Sequence, residues 1–349
     1  MSALLERSEG AAVVSSARRT SVRRVRTVTT ALAGAVVVLF AVSILLGTYT
    51  VTIPDFFRIL GGEQIPGATY IVMESKLPRA VIGTMVGAAL GMAGSVFQTM
   101  LRNPLASPDI IGISYGASAS AVVGIVVFGA TGTTVSLAAL VGALVVALAI
   151  YLLSRRGGAA GYRLILVGIG FAAVMQAVVM FLMTRTDIRT ASQALVWLNG
   201  SLNSASWDRA GALAIGMLIL LPAAAVLARQ LRGLELGDDT AAGLGLHVEA
   251  SRLGLLVTGV ALAAVATAAA GPVSFIAFLS GPIARRLLGG RQSLAASALV
   301  GSVIVLAADF AGSNLVPGVS LPVGVVTGAL GAPFLLWLLV TSNRVGRGG

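Results

Sequence analysis

The sequence predicts an all-α, polytopic membrane protein, and three observations carry that prediction. Of 349 residues, 57% are hydrophobic and only 11% charged, and mean hydropathy is +0.96. A soluble chain is roughly one quarter charged, so this one could not clothe its surface in water. The apolar residues also gather into ten runs near the length of about 20 residues that a helix needs to cross a hydrocarbon core about 30 Å thick.

Taken in order, residues 1–28 mix Arg, Ser, Thr and small residues without apolar periodicity, and are expected to form a flexible basic tail near anionic lipid. The runs then occupy 29–49, 80–100, 111–129, 133–153, 162–184, 209–228, 252–270, 272–287, 294–312 and 321–341, which bounds a ten-span domain at 29–341 with a second tail at 342–349. The first run is too long for a signal-peptide core and nine more follow, so it reads as a retained anchor. The eighth is short, contains Pro282 and is separated from the seventh by Gly271 alone.

Ten spans with the N-terminus in the cytoplasm place Arg58, Lys76, Arg79, Arg185, Arg189 and Arg209 outside and the other 18 of the 24 basic residues inside, Arg7, Arg155, Arg156 and Arg347 among them. That asymmetry satisfies the positive-inside rule with both termini in the cytoplasm, and fails if one span is added or removed. The net charge of +11 is thereby an orienting device, and nucleic acid is not an expected partner. Glycines recur at four-residue spacing at Gly83, Gly87 and Gly91, at Gly112 and Gly116, and at Gly324 and Gly328, the pattern of helices whose backbones approach closely in lipid.

Several chemistries are excluded. There is no Cys and a single His247, so no disulfide, thiolate nucleophile, Cys metal site or His cluster can form, and neither a metal nor a cofactor is expected. The one lysine, Lys76, lies outside any phosphate-binding loop, so the chain is not its own ATPase. Asp238 and Asp239 are the only adjacent acids and lack a second cluster, which leaves an enzyme the least supported class. Asp309 alone among the acids lies inside a run, within about one turn of its outer end. It reads either as a carboxylate satisfied by neighbouring hydroxyls and amides or as the coupling group of an ion-driven carrier. A membrane pathway powered by something else remains, with an ion-coupled secondary transporter or exporter of an apolar metabolite as the alternative.

Three segments carry candidate roles. Lys76 and Arg79, three apart, share one helical face at the outer end of the second run, as docking charges or as anchors snorkelling to lipid head groups. In the inner turn after that run, Pro104 and Pro108 stop helices, and Asn103 and Asp109 can cap the groups they strand, beside Arg102. Between the sixth and seventh runs, 236–246 reads as a short helix. Asp238 and Asp239 sit at its positive end, Gly243 or Gly245 supplies the left-handed cap, and Leu236, Ala241 and Leu244 form an apolar edge. His247 reads as incidental.

Particular strings then become recognisable: Lys76-Leu77-Pro78-Arg79, Arg102-Asn103-Pro104-Leu105-Ala106-Ser107-Pro108-Asp109-Ile110-Ile111-Gly112, Trp197-Leu198-Asn199-Gly200-Ser201-Leu202, Leu236-Gly237-Asp238-Asp239-Thr240-Ala241-Ala242-Gly243-Leu244-Gly245, Gly271-Pro272-Val273-Ser274-Phe275-Ile276-Ala277 and Leu321-Pro322-Val323-Gly324. In this order the chain resembles the iron-siderophore and vitamin B12 permease family, the membrane subunits of type II ABC importers, and is most similar to its ferric-enterobactin-type members. The resemblance implies ten spans and a second permease subunit, identical or paralogous. It further implies two cytoplasmic ATP-binding subunits and an extracytoplasmic siderophore-binding protein. It makes Leu236 to Gly245 the helix coupled to the ATPase, Lys76 and Arg79 the docking residues, and the turn holding Arg102, Asn103, Pro104, Pro108 and Asp109 a candidate inner gate. Two departures stand out: Gly281-Pro282-Ile283-Ala284-Arg285 lacks the family's usual His or Gln after Pro, and 313–320 lacks a basic residue.

Overall fold

The computed structural model describes residues 2–109, 112–154, 160–315 and 318–345; Ile110, Ile111, Arg155, Arg156 and Arg347 lie outside them. Among the described residues every regular element is a helix. They are α1 (Ser2–Leu45), α2 (Ile53–Leu60), α3 (Ala68–Tyr70), a π-helical turn (Ile71–Lys76), α4 (Leu77–Met100), α5 (Ile113–Phe128), α6 (Thr133–Ser154), α7 (Ala160–Arg185), α8 (Ile188–Leu198), α9 (Trp207–Leu234), α10 (Asp238–Gly243), α11 (Val248–Ala270), α12 (Ile276–Leu287), α13 (Leu294–Asn314) and α14 (Val323–Val345).

Each of the ten expected runs falls on a helix, but seven of those helices are long and apolar enough to cross a bilayer among the described residues. Two of the others, α5 and α12, are shorter for identifiable reasons. α5 has 16 residues because Gly112 and Gly129, both left-handed, bracket it. α12 has 12 because Gly271, Pro272 and a left-handed Phe275 stop the chain from turning helical before Ile276. The described apolar part of α14 is Val323–Leu336. Where the sequence predicts an irregular tail, the backbone is helical from Ser2 onward; no Pro occurs before Pro54, and Ala, Arg and Leu, all good helix formers, recur through the segment. Arg24 secures this helix by donating from Nε to the carbonyl of Leu287 at 3.0 Å, capping the end of α12.

α4 is the central post, packed against α9, α11, α12 and α13, with 78% of its most apolar stretch buried inside the protein. Its glycines explain how. A Cβ on Gly87 would strike the backbone of Gly301, one on Gly91 the Ser297 carbonyl, and one on Gly94 the Ala277 carbonyl, so α4 meets α13 and α12 backbone to backbone. Gly116 meets Val146 and Gly142 of α6 in the same way, whereas Gly328 faces open space. By contrast α7 buries only 11% of its apolar stretch and leaves Leu166, Ile169, Val174, Met180 and Phe181 exposed.

Candidate functional site

One end of the bundle carries Lys76 and Arg79, and both are engaged. The ammonium of Lys76 donates to the carbonyls of Ile44 (3.0 Å), Leu46 (2.8 Å) and Tyr49 (2.6 Å), using its three donors to satisfy the C-terminal end of α1. Arg79 grips Asp309 in a two-pronged ion pair, Nε to Oδ2 at 2.7 Å and Nη2 to Oδ1 at 2.8 Å, and also donates to the Ser313 hydroxyl at 2.7 Å. Asp309 is buried on α13, so the pair ties α13 to α4. The partner of Asp309 is thus an arginine 230 residues away rather than a neighbouring hydroxyl or amide. Nothing in the spacing announces that contact.

The opposite end holds the turn after α4 and α10. α4 closes with two bonds that satisfy its last carbonyls, Arg102 N–H to Thr99 (3.2 Å) and Asn103 N–H to Gln98 (3.0 Å). That closure places Arg102 in the left-handed position glycine favours, at φ 48°. The Asn103 side chain accepts from the Leu105 amide at 2.9 Å, and the Asp109 carboxylate accepts from the Ser114 hydroxyl. Burial pushes the Asp109 carboxyl above the usual carboxylate range and the Ser114 bond opposes the rise. Pro108 is buried, while Pro104 is exposed.

α10 is six residues long, with Gly237 (φ 106°) before it and Gly245 (φ 84°) after it. The Leu246 amide bonds the Ala241 carbonyl and the Gly245 amide that of Ala242, so Gly245 rather than Gly243 supplies the left-handed cap. Leu236 and Leu244 are 62% and 66% exposed, and Asp239, Thr240 and Gly243 are exposed beside them. Ala241 departs from the expected apolar edge: it is fully buried in the main core, because the helix lays that face on the end of α9. Asp238 points the other way in function, receiving Arg102 Nη2 on Oδ1 at 2.8 Å and Arg252 Nη2 on Oδ2 at 2.7 Å. Beside it, Glu235 meets Arg285 at 3.5 Å, Arg285 bonds Gln292 at 2.9 Å, and Gln292 reaches Ser95 on α4. His247 is the exposed residue preceding α11.

Three of the recognisable strings converge. The Ser201 amide bonds the Ala270 carbonyl at 2.8 Å and the Gly324 amide bonds the Gly200 carbonyl at 3.1 Å. A side chain on Gly200, Gly271 or Gly324 would collide with Pro272, Trp197 or Asn199 respectively. Among the described residues no three His, Cys, Asp or Glu side chains gather in a way that could hold a metal ion.

Comparison with known proteins matches residues 35–341 to the FecCD transport family. The chain belongs to that family. Among its FecCD relatives, it is 42% identical over 299 residues to the ferric enterobactin transport system permease protein FepG of Escherichia coli (strain K12), covering 85% of this chain and 91% of that one. The achromobactin transport system permease protein CbrC of Dickeya dadantii (strain 3937) is 40% identical over 294 residues, 83% and 84% of the two chains. A solved metal-chelate type ABC transporter in an inward-facing conformation shares the FecCD chain's fold with a TM-score of 0.79 at 23% identity, over 90% of this chain and 99% of that one.

Arg252, Glu235, Arg285 and Gln292 were not expected at this site. Arg252 lies 14 residues beyond Asp238 and Arg102 lies 136 before it, each on a different element, so helical spacing relates neither to Asp238. A signal was nevertheless present, since Asp238 is one of only 13 acids in a chain with 24 basic residues.

Proposed function

We propose that this chain is the permease subunit of an ABC importer that carries ferric siderophores across the cytoplasmic membrane, driven by a separate ATPase. The observation that carries the reading is 42% identity to a ferric enterobactin permease across 85% of the chain, in a sequence with no phosphate-binding loop of its own. In this reading α1, α4, α5, α6, α7, α9, α11, α12, α13 and α14 are ten spans, and both termini lie in the cytoplasm. The end with α10 also carries Arg102, Arg252, Arg285 and Arg291, which supports placing it inside.

The exposed Leu236 and Leu244 then seat α10 in a groove of the ATPase, and the turn from Arg102 to Asp109 forms the inner gate. Lys76 and Arg79 are held at the outer rim by their internal bonds, where carboxylates of a siderophore-binding protein would meet them and set its register. The exposed α7 faces a second permease subunit or lipid. In this reading, binding and hydrolysis of ATP by partners shift α10 and repack the glycine-lined spans around a central path.

The deciding experiment reconstitutes the permease with its ATPase and binding protein in proteoliposomes and follows uptake of ferric chelate. Uptake should require ATP and survive collapse of proton and sodium gradients; uptake driven by a gradient without ATPase would overturn the proposal.

A further inference from the structure

Asp238 is the only described residue through which α10 forms ion pairs, and its two carboxylate oxygens are each taken by a different element. Oδ1 holds Arg102, at the joint between α4 and α5, and Oδ2 holds Arg252, about one turn into α11. We propose that the Arg102–Asp238–Arg252 clamp is the linkage that converts a displacement of α10 into movement of the inner turn, with Asp238 a positioning residue for transport. The proposal rests on the reading of α10 as the coupling helix.

Three observations carry it. The first is geometry: the two oxygens of Asp238 bond Arg102 and Arg252 at 2.8 and 2.7 Å, so a displacement of α10 that the two arginine side chains do not follow breaks the clamp. The second is where the arms lead. Arg102 also donates to the Leu234 carbonyl at 3.3 Å, so the turn is held to the end of α9 as well, and α4 above it is the post on which α9, α11, α12 and α13 pack. The third is the backbone of Arg102. At φ 48° it fills the helix-closing position where glycine is favoured, and a side chain kept there at a conformational cost points to a task for that side chain. Both pairs are partly open to solvent, with side-chain exposures of 51%, 40% and 32% for Arg102, Asp238 and Arg252. Such pairs are individually weak, which suits contacts that open and re-form in a cycle better than a permanent brace.

The test measures chelates imported per ATP hydrolysed in the reconstituted complex for Asp238→Asn, Arg102→Gln, the double variant and Arg102→Gly. Each single variant should lower that ratio at least tenfold, and the double should be no worse than the poorer single, as for residues acting in one network. Arg102→Gly is the discriminating variant. It relieves the left-handed strain, so its thermal midpoint should equal or exceed that of the parent while its transport ratio falls. A ratio unchanged in Asp238→Asn or Arg102→Gly, or losses that multiply in the double, would overturn the clamp. Failure of the unmutated complex to import with ATP would instead sink the permease reading.

Discussion

At the scale of the residue, the Arg79–Asp309 ion pair gives Arg79 a structural role beside the proposed docking one. Breaking a largely buried pair by removing one partner leaves the other charged and unpaired, which costs about 3–5 kcal/mol in well-buried cases. Asp309→Ala should therefore lower the thermal midpoint of the detergent-purified protein more than the combined Arg79→Met and Asp309→Leu change, which removes both charges. The swapped pair, Arg79→Asp with Asp309→Arg, separates bracing from docking: the fold should be retained in both cases, but uptake from the loaded binding protein is lost only if Arg79 itself docks. Asp187 offers a pH test. Its carboxylate accepts from the amides of Thr190 and Arg189 at the start of α8, and these bonds, that of Thr190 foremost, hold it below the usual carboxylate range. A depressed acid contributes stability above its unfolded pKa and loses it as pH falls through the folded value. The protection factor of the Thr190 amide should thus fall as Asp187 is protonated in acid, and Asp187→Asn should abolish that pH dependence.

At the scale of the element, the two glycines of the α10 segment behave oppositely although both are exposed. Gly245 is left-handed at φ 84°, so Gly245→Ala should cost about 1–2 kcal/mol. Gly243 lies in the helix with open space around it, so Gly243→Ala should be neutral or stabilising by about 0.5–1 kcal/mol. Gly243→Pro should break the helix and Leu244→Glu should leave it folded but spoil its seat; both should reduce co-purification with the ATPase. On α4, Gly87→Val forces a side chain into the backbone of Gly301 and should destabilise by at least about 1–3 kcal/mol, while Gly328→Ala, in open space within α14, should like Gly243→Ala be neutral or stabilising. Thermal unfolding in detergent distinguishes these cases.

At the scale of the whole molecule, sidedness is the open physical claim. The chain has no cysteine, so single cysteines report location directly. Leu236 and Ile188, 62% and 91% exposed at opposite ends, can accept a thiol without disturbing packing. In intact cells Leu236→Cys should be protected from an impermeant reagent and Ile188→Cys labelled; labelling of both from outside would break the ten-span topology.

By itself the sequence determined the membrane class, the all-helical fold, the family and the existence of a short helix after α9, though it read that helix as 236–246 where α10 spans Asp238–Gly243. Hydropathy, helix punctuation and contiguous strings are local properties, written in neighbouring residues. Only tertiary structure decided that Ala241 is buried while Leu244 is exposed, because a six-residue helix has too few turns to show which face meets the body. It alone brought Arg79 to Asp309 and joined Arg102 to Asp238 and Arg252. Ion pairs between residues 136 or 230 apart depend on how helices stack, and the stacking is set by glycine contacts such as Gly87 on Gly301, whose partners no spacing along the chain can name.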